Sequence, residues 1–426
     1  MLSSQQANTE TIIIVWAGIS WLAAAKELHH AGKNVVVLEA KDKIWGRIDT
    51  QTHSGMSFEL GASWIHGDQK NPVADILKKE GNTLIPTDFD NSTQHINGKE
   101  SEEDEDAEDF LEYAYEEIET LEDDISLAEC LQNYIKKYKI VGSEKEYLIY
   151  RIKIDMETEY GTSLENISLF SLDAGKEMKG GDKLVQGGYE KVIEYLAKDI
   201  DIRLNTPVST IVQTQTGVLV SDTSGNTFSG SKVIVTVPLG VLKKWYISFE
   251  PTLSKEKLQA ISALGMGNLH KTFLVFDKSF WDDTTVIDIF GTNKENSSLW
   301  GEFFNLETLM SKPVLLALHG GEAALEVEKK DIETMKKEVF EVLKTIYPKA
   351  QIPKEVIRSE WHKDEFTQGS YSYLPVGIEE IIYDMLAKPE GRVYFAWEHT
   401  SKDFPSTTHG AYLSGIRAAQ EILESK

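Results

Sequence analysis

Residues 11–39 read TIIIVWAGISWLAAAKELHHAGKNVVVLE. The β-branched run 11–15 predicts a strand, the alanine-rich segment 17–31 a helix, and residues 34–39 a second strand that ends in an acid. Because parallel strands need a crossover between them, a strand, a helix and a strand within about thirty residues predict a βαβ unit. This segment therefore predicts an α/β fold class.

The turn between the first strand and the helix has one glycine where a dinucleotide-binding turn has three. In GxGxxG, the glycines allow a tight turn, close approach of a pyrophosphate, and close helix–strand packing. Here those positions are Trp16, Gly18 and Trp21. The context still fits, because a helix N-terminus follows the turn, and Glu39 stands where an acid binds a ribose hydroxyl.

The bulk composition excludes several classes of function. A chain of 426 residues predicts two domains, and a net charge of −25 argues against nucleic acid as a ligand and favours cationic ligands. The single cysteine, Cys130, excludes a disulfide framework and a cysteine-based metal site, and we predict no metal. Without a long apolar run or an apolar signal core, no membrane contact and a cytoplasmic location are expected. Composition leaves the oligomeric state open.

Residues 100–109, ESEEDEDAED, are nearly all acidic. We interpret them as a solvated loop that leads into helices. A patch that captures polycations is the alternative.

The chain resembles the flavin-containing amine oxidases, which include polyamine and spermine oxidases, monoamine oxidases and lysine-specific histone demethylases. The similarity covers nearly the whole chain and is weakest over residues 88–179. The segment ELGASWIHG (59–67) is close to the form that this segment has in polyamine oxidases. The other segments that carry the resemblance are VLEAKDKIWGRI (37–48), VQGGY (185–189), VPLGVL (237–242), LGMGNLHK (264–271), GSYSY (369–373), FAWEHT (395–400) and THGA (408–411).

This resemblance implies a two-domain, Rossmann-like FAD/NAD(P)-binding fold with an interleaved α+β substrate domain. The FAD domain would comprise residues 10–80, 181–245 and 386–426, and the substrate domain residues 81–180 and 246–385. The implied reaction is FAD-dependent oxidation of a small cationic amine, and the polyamine-oxidase form of residues 59–67 favours a polyamine. It yields an imine, which is hydrolysed to an aldehyde, and molecular oxygen becomes hydrogen peroxide.

The resemblance also assigns roles to single residues. Lys271, predicted just ahead of an apolar strand, would hold a water near the flavin, with His66 and Tyr371 beside the substrate. Ser370 stands near the position where monoamine oxidases carry a cysteine, so FAD would be non-covalent. The implied cofactor contacts are Gly18, Ser20, Glu39, Gly46, Arg47, Val208, Glu398 and Thr408, and the implied substrate contacts are Trp64, Phe304, Trp361 and Tyr373.

Simpler interpretations of the same side chains stay open. Trp361 and Phe304 also suit a plain hydrophobic core. A lone histidine such as His66 is commonly structural, and a lysine at a strand edge commonly faces solvent. The assigned roles therefore depend on the resemblance.

Four of the nine tryptophans, Trp16, Trp21, Trp45 and Trp397, replace family glycines at the expected FAD site. An indole there would take the volume of the cofactor, and Trp21 would push the helix off the strand. We therefore expect FAD binding to be weakened or blocked. Deliberate alteration explains the pattern better than a natural pseudoenzyme, because decay would not converge on one bulky residue.

Three other functions remain open from the sequence. An L-amino-acid oxidase would need a guanidinium group to clamp the substrate carboxylate, and none is assigned. A lysine demethylase-like oxidase is less well supported, because the sequence has no tower-like coiled-coil insertion. A catalytically dead, cofactor-free scaffold or binding protein is favoured by the four tryptophans.

Overall fold

The computed structural model describes residues 10–16, 18–101, 106–291 and 299–425. None of the helices within these ranges has the length and apolar character that crossing a bilayer requires. The strands are β1 Thr11–Val15, β2 Asn34–Leu38, β3 Thr50–His53, β4 Met56–Glu59, β5 Trp64–Ile65, β6 Thr83–Pro86, β7 Ser92–Ile96, β8 Lys99–Ser101, β9 Lys183–Gln186, β10 Asp201–Arg203, β11 Val208–Gln213, β12 Val218–Asp222, β13 Thr227–Gly230, β14 Lys232–Val235, β15 Ser248–Glu250, β16 Gly265–Met266, β17 Leu269–Val275, β18 Val286–Phe290, β19 Glu302–Asn305, β20 Val314–Gly320, β21 Glu355–Arg358, β22 Ser372–Tyr373 and β23 Val393–Phe395.

Most of the helices lie between these strands or follow the last of them. The α-helices are α1 Ile19–His30, α2 Pro72–Lys79, α3 Asp106–Thr120, α4 Leu127–Tyr138, α5 Gly142–Tyr160, α6 Lys191–Ala197, α7 Leu239–Lys243, α8 Lys255–Ala263, α9 Glu307–Met310, α10 Gly321–Lys329, α11 Ile332–Ile346, α12 Ile381–Ala387 and α13 Thr408–Glu424. Short 3₁₀ helices span Leu169–Asp173 and Glu398–Thr400. The chain is thus a mixed α/β protein.

A five-stranded parallel sheet, in the order β10-β2-β1-β14-β23, organises the N-terminal part of the fold. Its central strand β1 is apolar nearly along its length, and both of its faces are covered: Ile12 and Ile14 pack toward α1 and α13, and Ile13 and Val15 pack into a second core. The chain leaves β1 toward β2 on one side, and β14 pairs on the other side. Ligands of such sheets bind at this reversal, beyond the carboxyl ends of the strands.

Helices α1 and α13 pack closely on one face of this sheet. A Cβ built on Gly415 would lie 1.9 Å from the carbonyl oxygen of Ser20, so only glycine permits this approach. The hydroxyls of Ser20 and Ser414 meet within the same interface at 3.1 Å. The packing fixes the start of α1 relative to the sheet.

A seven-stranded sheet, β21-β17-β20-β19-β18-β7-β8, carries the predicted catalytic lysine on β17. Smaller sheets join β13-β12-β11-β15 and β5-β9-β6. The parallel sheet falls within the ranges predicted for the cofactor domain, and the seven-stranded sheet within those predicted for the substrate domain. Strands β6 and β15 pair across these boundaries, and the boundaries themselves stay predictions.

Several element predictions are confirmed and others are wrong. The βαβ unit is confirmed, with β1 parallel to β2, and the helix begins at Ile19, while Ala17 lies outside the described residues. Lys271 was expected ahead of its strand, but β17 begins at Leu269, because its ladder with β20 extends that far. The acidic stretch is not simply a loop, because β8 reaches Ser101 and α3 begins at Asp106; residues 102–105 lie outside the described part.

Candidate active site

The turn from β1 to α1 lies at the reversal point of the parallel sheet. Trp16 has a φ of +88°, a region that favours glycine, and its N–H donates to the carbonyl of Leu38 at 2.8 Å. Gly18 precedes α1 as its N-cap, and no side chain caps the helix. This geometry is that of a phosphate-binding turn, in which free N–H groups at a helix N-terminus face an anion.

The side chain of Trp397 fills the space against Gly18. A Cβ built on Gly18 would lie only 1.8 Å from Cη2 of Trp397, and the indole is 3% exposed. The backbone of Trp397 is fixed by Thr400, whose hydroxyl accepts its N–H at 3.0 Å. The face of Gly18 that a pyrophosphate would approach is therefore covered by an aromatic ring, and this turn does not fit FAD.

The other three tryptophans lie elsewhere. The Trp16 side chain packs edge to face on Phe366, with ring centroids 5.5 Å apart. Trp21 is completely buried between α1 and its neighbours, and its Nε1 has no hydrogen-bond partner among the described residues. Trp45 is half-buried, with the ammonium group of Lys43 4.7 Å from its ring centroid.

Arg47 and Glu398, both predicted to contact the cofactor, form an ion pair at 2.9 Å. The guanidinium group of Arg47 also donates to the Ser370 carbonyl and lies 5.1 Å from the Trp397 ring centroid. Burial alone would raise the pKa of Glu398, but the charge of Arg47, the neighbouring His399 imidazole and the hydrogen bond from Ser372 lower it to about 2. The Glu398 carboxylate is therefore fully charged, and its ion pair holds Arg47 in place.

The remaining predicted cofactor residues are Ser20, Thr408, Glu39, Val208 and Gly46. Ser20 lies in the α1–α13 interface, and the hydroxyl of Thr408 bonds that of Tyr189 at 2.6 Å. Buried Glu39 accepts the N–H of Lys41 at 2.7 Å at the end of β2. Val208 begins β11 in the second core, and Gly46 has a φ of +59° in the loop after β2.

Lys271 is buried on β17, so the alternative interpretation of a solvent-facing lysine at a strand edge is wrong. Its ammonium group donates to the Gly61 carbonyl and the Ser63 hydroxyl and lies 3.4 Å from the Glu59 carbonyl oxygen. Burial lowers its pKa to about 7, although the Glu59 carboxylate opposes this change. Burial also raises the pKa of Glu59 to about 7. A lysine so placed exchanges a proton near neutral pH.

Aromatic side chains surround this lysine. The Trp64 ring centroid is 5.4 Å from the Lys271 ammonium group and 5.7 Å from the ring of Phe304. Trp361 is buried and donates its Nε1–H to the Leu60 carbonyl at 2.9 Å. These predicted substrate residues share one cluster.

The two predicted tyrosines, Tyr371 and Tyr373, contact different partners. Tyr371 donates its hydroxyl to the Thr158 carbonyl at 2.6 Å, and burial raises its pKa well above the ordinary value. Tyr373 pairs with Gly265 across β16 and β22, and its ring covers that glycine. Tyr373 therefore has a packing role in addition to any contact with substrate.

His66 lies at the exposed side of this region, with 53% of its side chain accessible, and its Nδ1 is 3.1 Å from Asp182. Surrounding protein atoms oppose charge on the imidazole, but Asp182 and Glu159 outweigh them and raise the pKa of His66. Sequence reasoning missed Asp182, Glu159 and Ser63. No motif marks Asp182 or Glu159, whereas Ser63 lies within the segment ELGASWIHG (59–67).

Comparisons with known proteins agree with this architecture. Residues 19–423 match the family described as "Flavin containing amine oxidoreductase". The chain is 34% identical to probable polyamine oxidase 4 of Arabidopsis thaliana, across 98% of this chain and 88% of the relative. It is also 34% identical to polyamine oxidase 5 of Oryza sativa subsp. japonica, across 99% and 89%. The chain is 32% identical to lysine-specific histone demethylase 2 of Homo sapiens, across 97% of this chain and 53% of the relative.

These matches support FAD-dependent amine oxidation as the general chemistry of the relatives, even though the phosphate turn of this chain does not fit the cofactor. The chain therefore belongs to the flavin containing amine oxidoreductases, a membership that implies an oxidoreductase enzyme with FAD as its non-covalent cofactor.

Proposed function

We propose that this fold serves the oxidation of a polyamine to an imine, and so to an aldehyde, with molecular oxygen reduced to hydrogen peroxide. We further propose that the tryptophans at the cofactor site suppress this activity in the chain as it stands. The observation that carries the proposed activity is Lys271, a buried lysine with a pKa of about 7 beside the aromatic face of Trp64.

The groups around Lys271 suit a cationic amine. The faces of Trp64 and Phe304 attract an ammonium group by cation–π interaction and shelter an uncharged amine from water. Asp182 and Glu159, near His66, add negative charge at the exposed side. A polyamine carries several ammonium groups, so one amine reaches the aromatic cluster while another stays near these acids.

An amino acid suits the site less well, because its carboxylate would meet the same two acids. Methylated lysine is the second candidate, since it is also a cationic amine and since the relatives include lysine-specific demethylases. If the tryptophans prevent FAD from binding, the chain as it stands is a cofactor-free scaffold. The cytoplasmic location and the absence of nucleic-acid and membrane partners stay predictions.

The test compares the parent chain with a variant that restores all four glycines. Each protein is incubated with FAD and desalted, its visible spectrum is recorded, and peroxide release is assayed. The substrates are spermine, an N-acetylated polyamine, a dimethyl-lysine peptide and an L-amino acid. We expect a colourless parent and a yellow revertant that releases peroxide with polyamines. A yellow, active parent would overturn the proposed suppression, and a yellow revertant inactive on every polyamine would overturn the proposed substrate.

A further inference from the structure

The four tryptophans make unequal contacts with the phosphate turn. The three atoms nearest to a Cβ built on Gly18 all belong to the ring of Trp397, whose Cη2 lies 1.8 Å from that Cβ position. The ring reaches Gly18 from the edge of the sheet, because Trp397 follows the edge strand β23. Strand β23 pairs with β14, and β14 pairs with β1. The indole of Trp397 therefore spans the crevice at the reversal point, where a ligand of this sheet binds.

The groups that would hold a phosphate remain in position behind this ring. The N-terminus of α1 has no side-chain cap and no acid in its first turn. Arg47, 12% exposed, has its guanidinium carbon 5.1 Å from the centroid of the Trp397 ring and is held by its ion pair with Glu398. The ring thus lies close both to a helix N-terminus and to a guanidinium group, and both of these groups favour an anion.

The side chains of the other tryptophans make different contacts. The Trp16 ring turns toward Phe366 and the second core, so its effect is on the backbone of the turn. Trp21 points into the core beneath α1. Trp45 is half-buried near Lys43. Each affects packing or backbone geometry, whereas the three atoms nearest to a Cβ built on Gly18 all belong to Trp397.

We propose that Trp397 alone is the steric lock on a retained dinucleotide-pyrophosphate site formed by Gly18, the N-terminus of α1 and Arg47. The inference rests on the proposed function only for the identity of the ligand, FAD. Trp397 has an extended backbone, with φ 163° and ψ −177°, that any residue adopts. Side-chain volume is therefore what closes the site, and alanine opens it as glycine does.

The test uses four full-length variants: Trp397→Gly, Trp397→Ala, the triple variant W16G/W21G/W45G that keeps Trp397, and the variant with all four glycines. FAD affinity is measured by quenching of flavin fluorescence, and the Tm is measured with and without FAD. Since the site recovers at least two charge-assisted phosphate contacts, we expect both single variants to bind about a hundredfold tighter than the parent. FAD should raise their Tm and leave the parent and the triple variant unchanged.

The triple variant decides the matter even if the single variants fold poorly. If it binds FAD as tightly as the variant with four glycines, Trp397 is not the lock. The same conclusion follows if both Trp397 variants are folded by circular dichroism and bind no better than the parent. A variant with four glycines that is folded but binds no FAD would instead overturn the proposed cofactor function and this inference with it.

Discussion

The indole of Trp16 and the ring of Phe366 meet edge to face, with centroids 5.5 Å apart, and this contact accompanies a backbone φ of +88° at Trp16. A residue with a Cβ pays for that conformation, at about 1–2 kcal/mol. The buried indole offsets the strain, because it is only 5% exposed. The turn thus keeps a glycine-type backbone although it lacks the glycine.

The first prediction separates these two effects by comparing Trp16→Gly with Trp16→Ala. Both variants lose the indole, but only alanine keeps a Cβ at positive φ. We expect the glycine variant to be more stable than the alanine variant by about 1 kcal/mol, as measured by urea unfolding. Equal stabilities, or a more stable alanine variant, would mean that the turn relaxes to negative φ once the indole is gone.

The second prediction concerns the buried ammonium group of Lys271. Its pKa in the folded protein, about 7, lies below the ordinary value of 10.5, so between these pH values the unfolded chain binds a proton that the folded chain does not. The free energy of unfolding should therefore rise with pH across this window. In Lys271→Met this contribution is absent, and the parent should gain about 2 kcal/mol relative to the variant between pH 7 and pH 9.

The control for this experiment is Lys198→Met, which removes a lysine whose side chain is 57% exposed. The stability difference between that variant and the parent should stay nearly constant over the same range. A constant difference for Lys271→Met as well would show that its ammonium group remains charged through its three oxygen contacts.

The sequence predicted the strands and helices that local patterns determine. The bounds of β1 are confirmed, because a β-branched apolar run specifies a strand without help from distant residues. The resemblance places Lys271 at the site, but the prediction that it lies just ahead of its strand is wrong. The start of that strand depends on its pairing with β20, which no local pattern reveals.

The contacts that define the candidate site are mostly long-range. Ser63 meets Lys271 across 208 residues of sequence, and Asp182 meets His66 across 116. The four tryptophans were recognised as anomalies from the sequence alone. Their different orientations depend on the packing of α1, Phe366 and Arg47, so only the structure separates Trp397 from the other three.

The third prediction tests the acid beside His66 in the variant with four glycines. Replacing Asp182 by asparagine removes a charge near the exposed imidazole, and we expect the KM for spermine to rise about three- to tenfold with little change in kcat. The effect should shrink at high salt, because exposed charges are screened. Asp403→Asn, which removes an acid paired with Lys176, serves as the control. A fall in kcat with an unchanged KM would assign Asp182 to the chemical step instead.

The last prediction compares two fully buried tryptophans that differ in the partner of the indole N–H. Trp300 donates its Nε1–H to Glu338 at 2.8 Å, whereas in the part of the chain that the structure describes Trp21 has no partner for this group. Phenylalanine removes the N–H from both sites and leaves comparable space behind. In Trp300→Phe a charge-assisted hydrogen bond is lost, and in Trp21→Phe the cost of an unpaired buried donor is relieved. We therefore expect Trp300→Phe to be less stable than Trp21→Phe by about 2 kcal/mol in urea unfolding. Equal losses would indicate that the Trp21 N–H finds a partner, such as a water, and that the tryptophan is better accommodated beneath α1 than its packing implies.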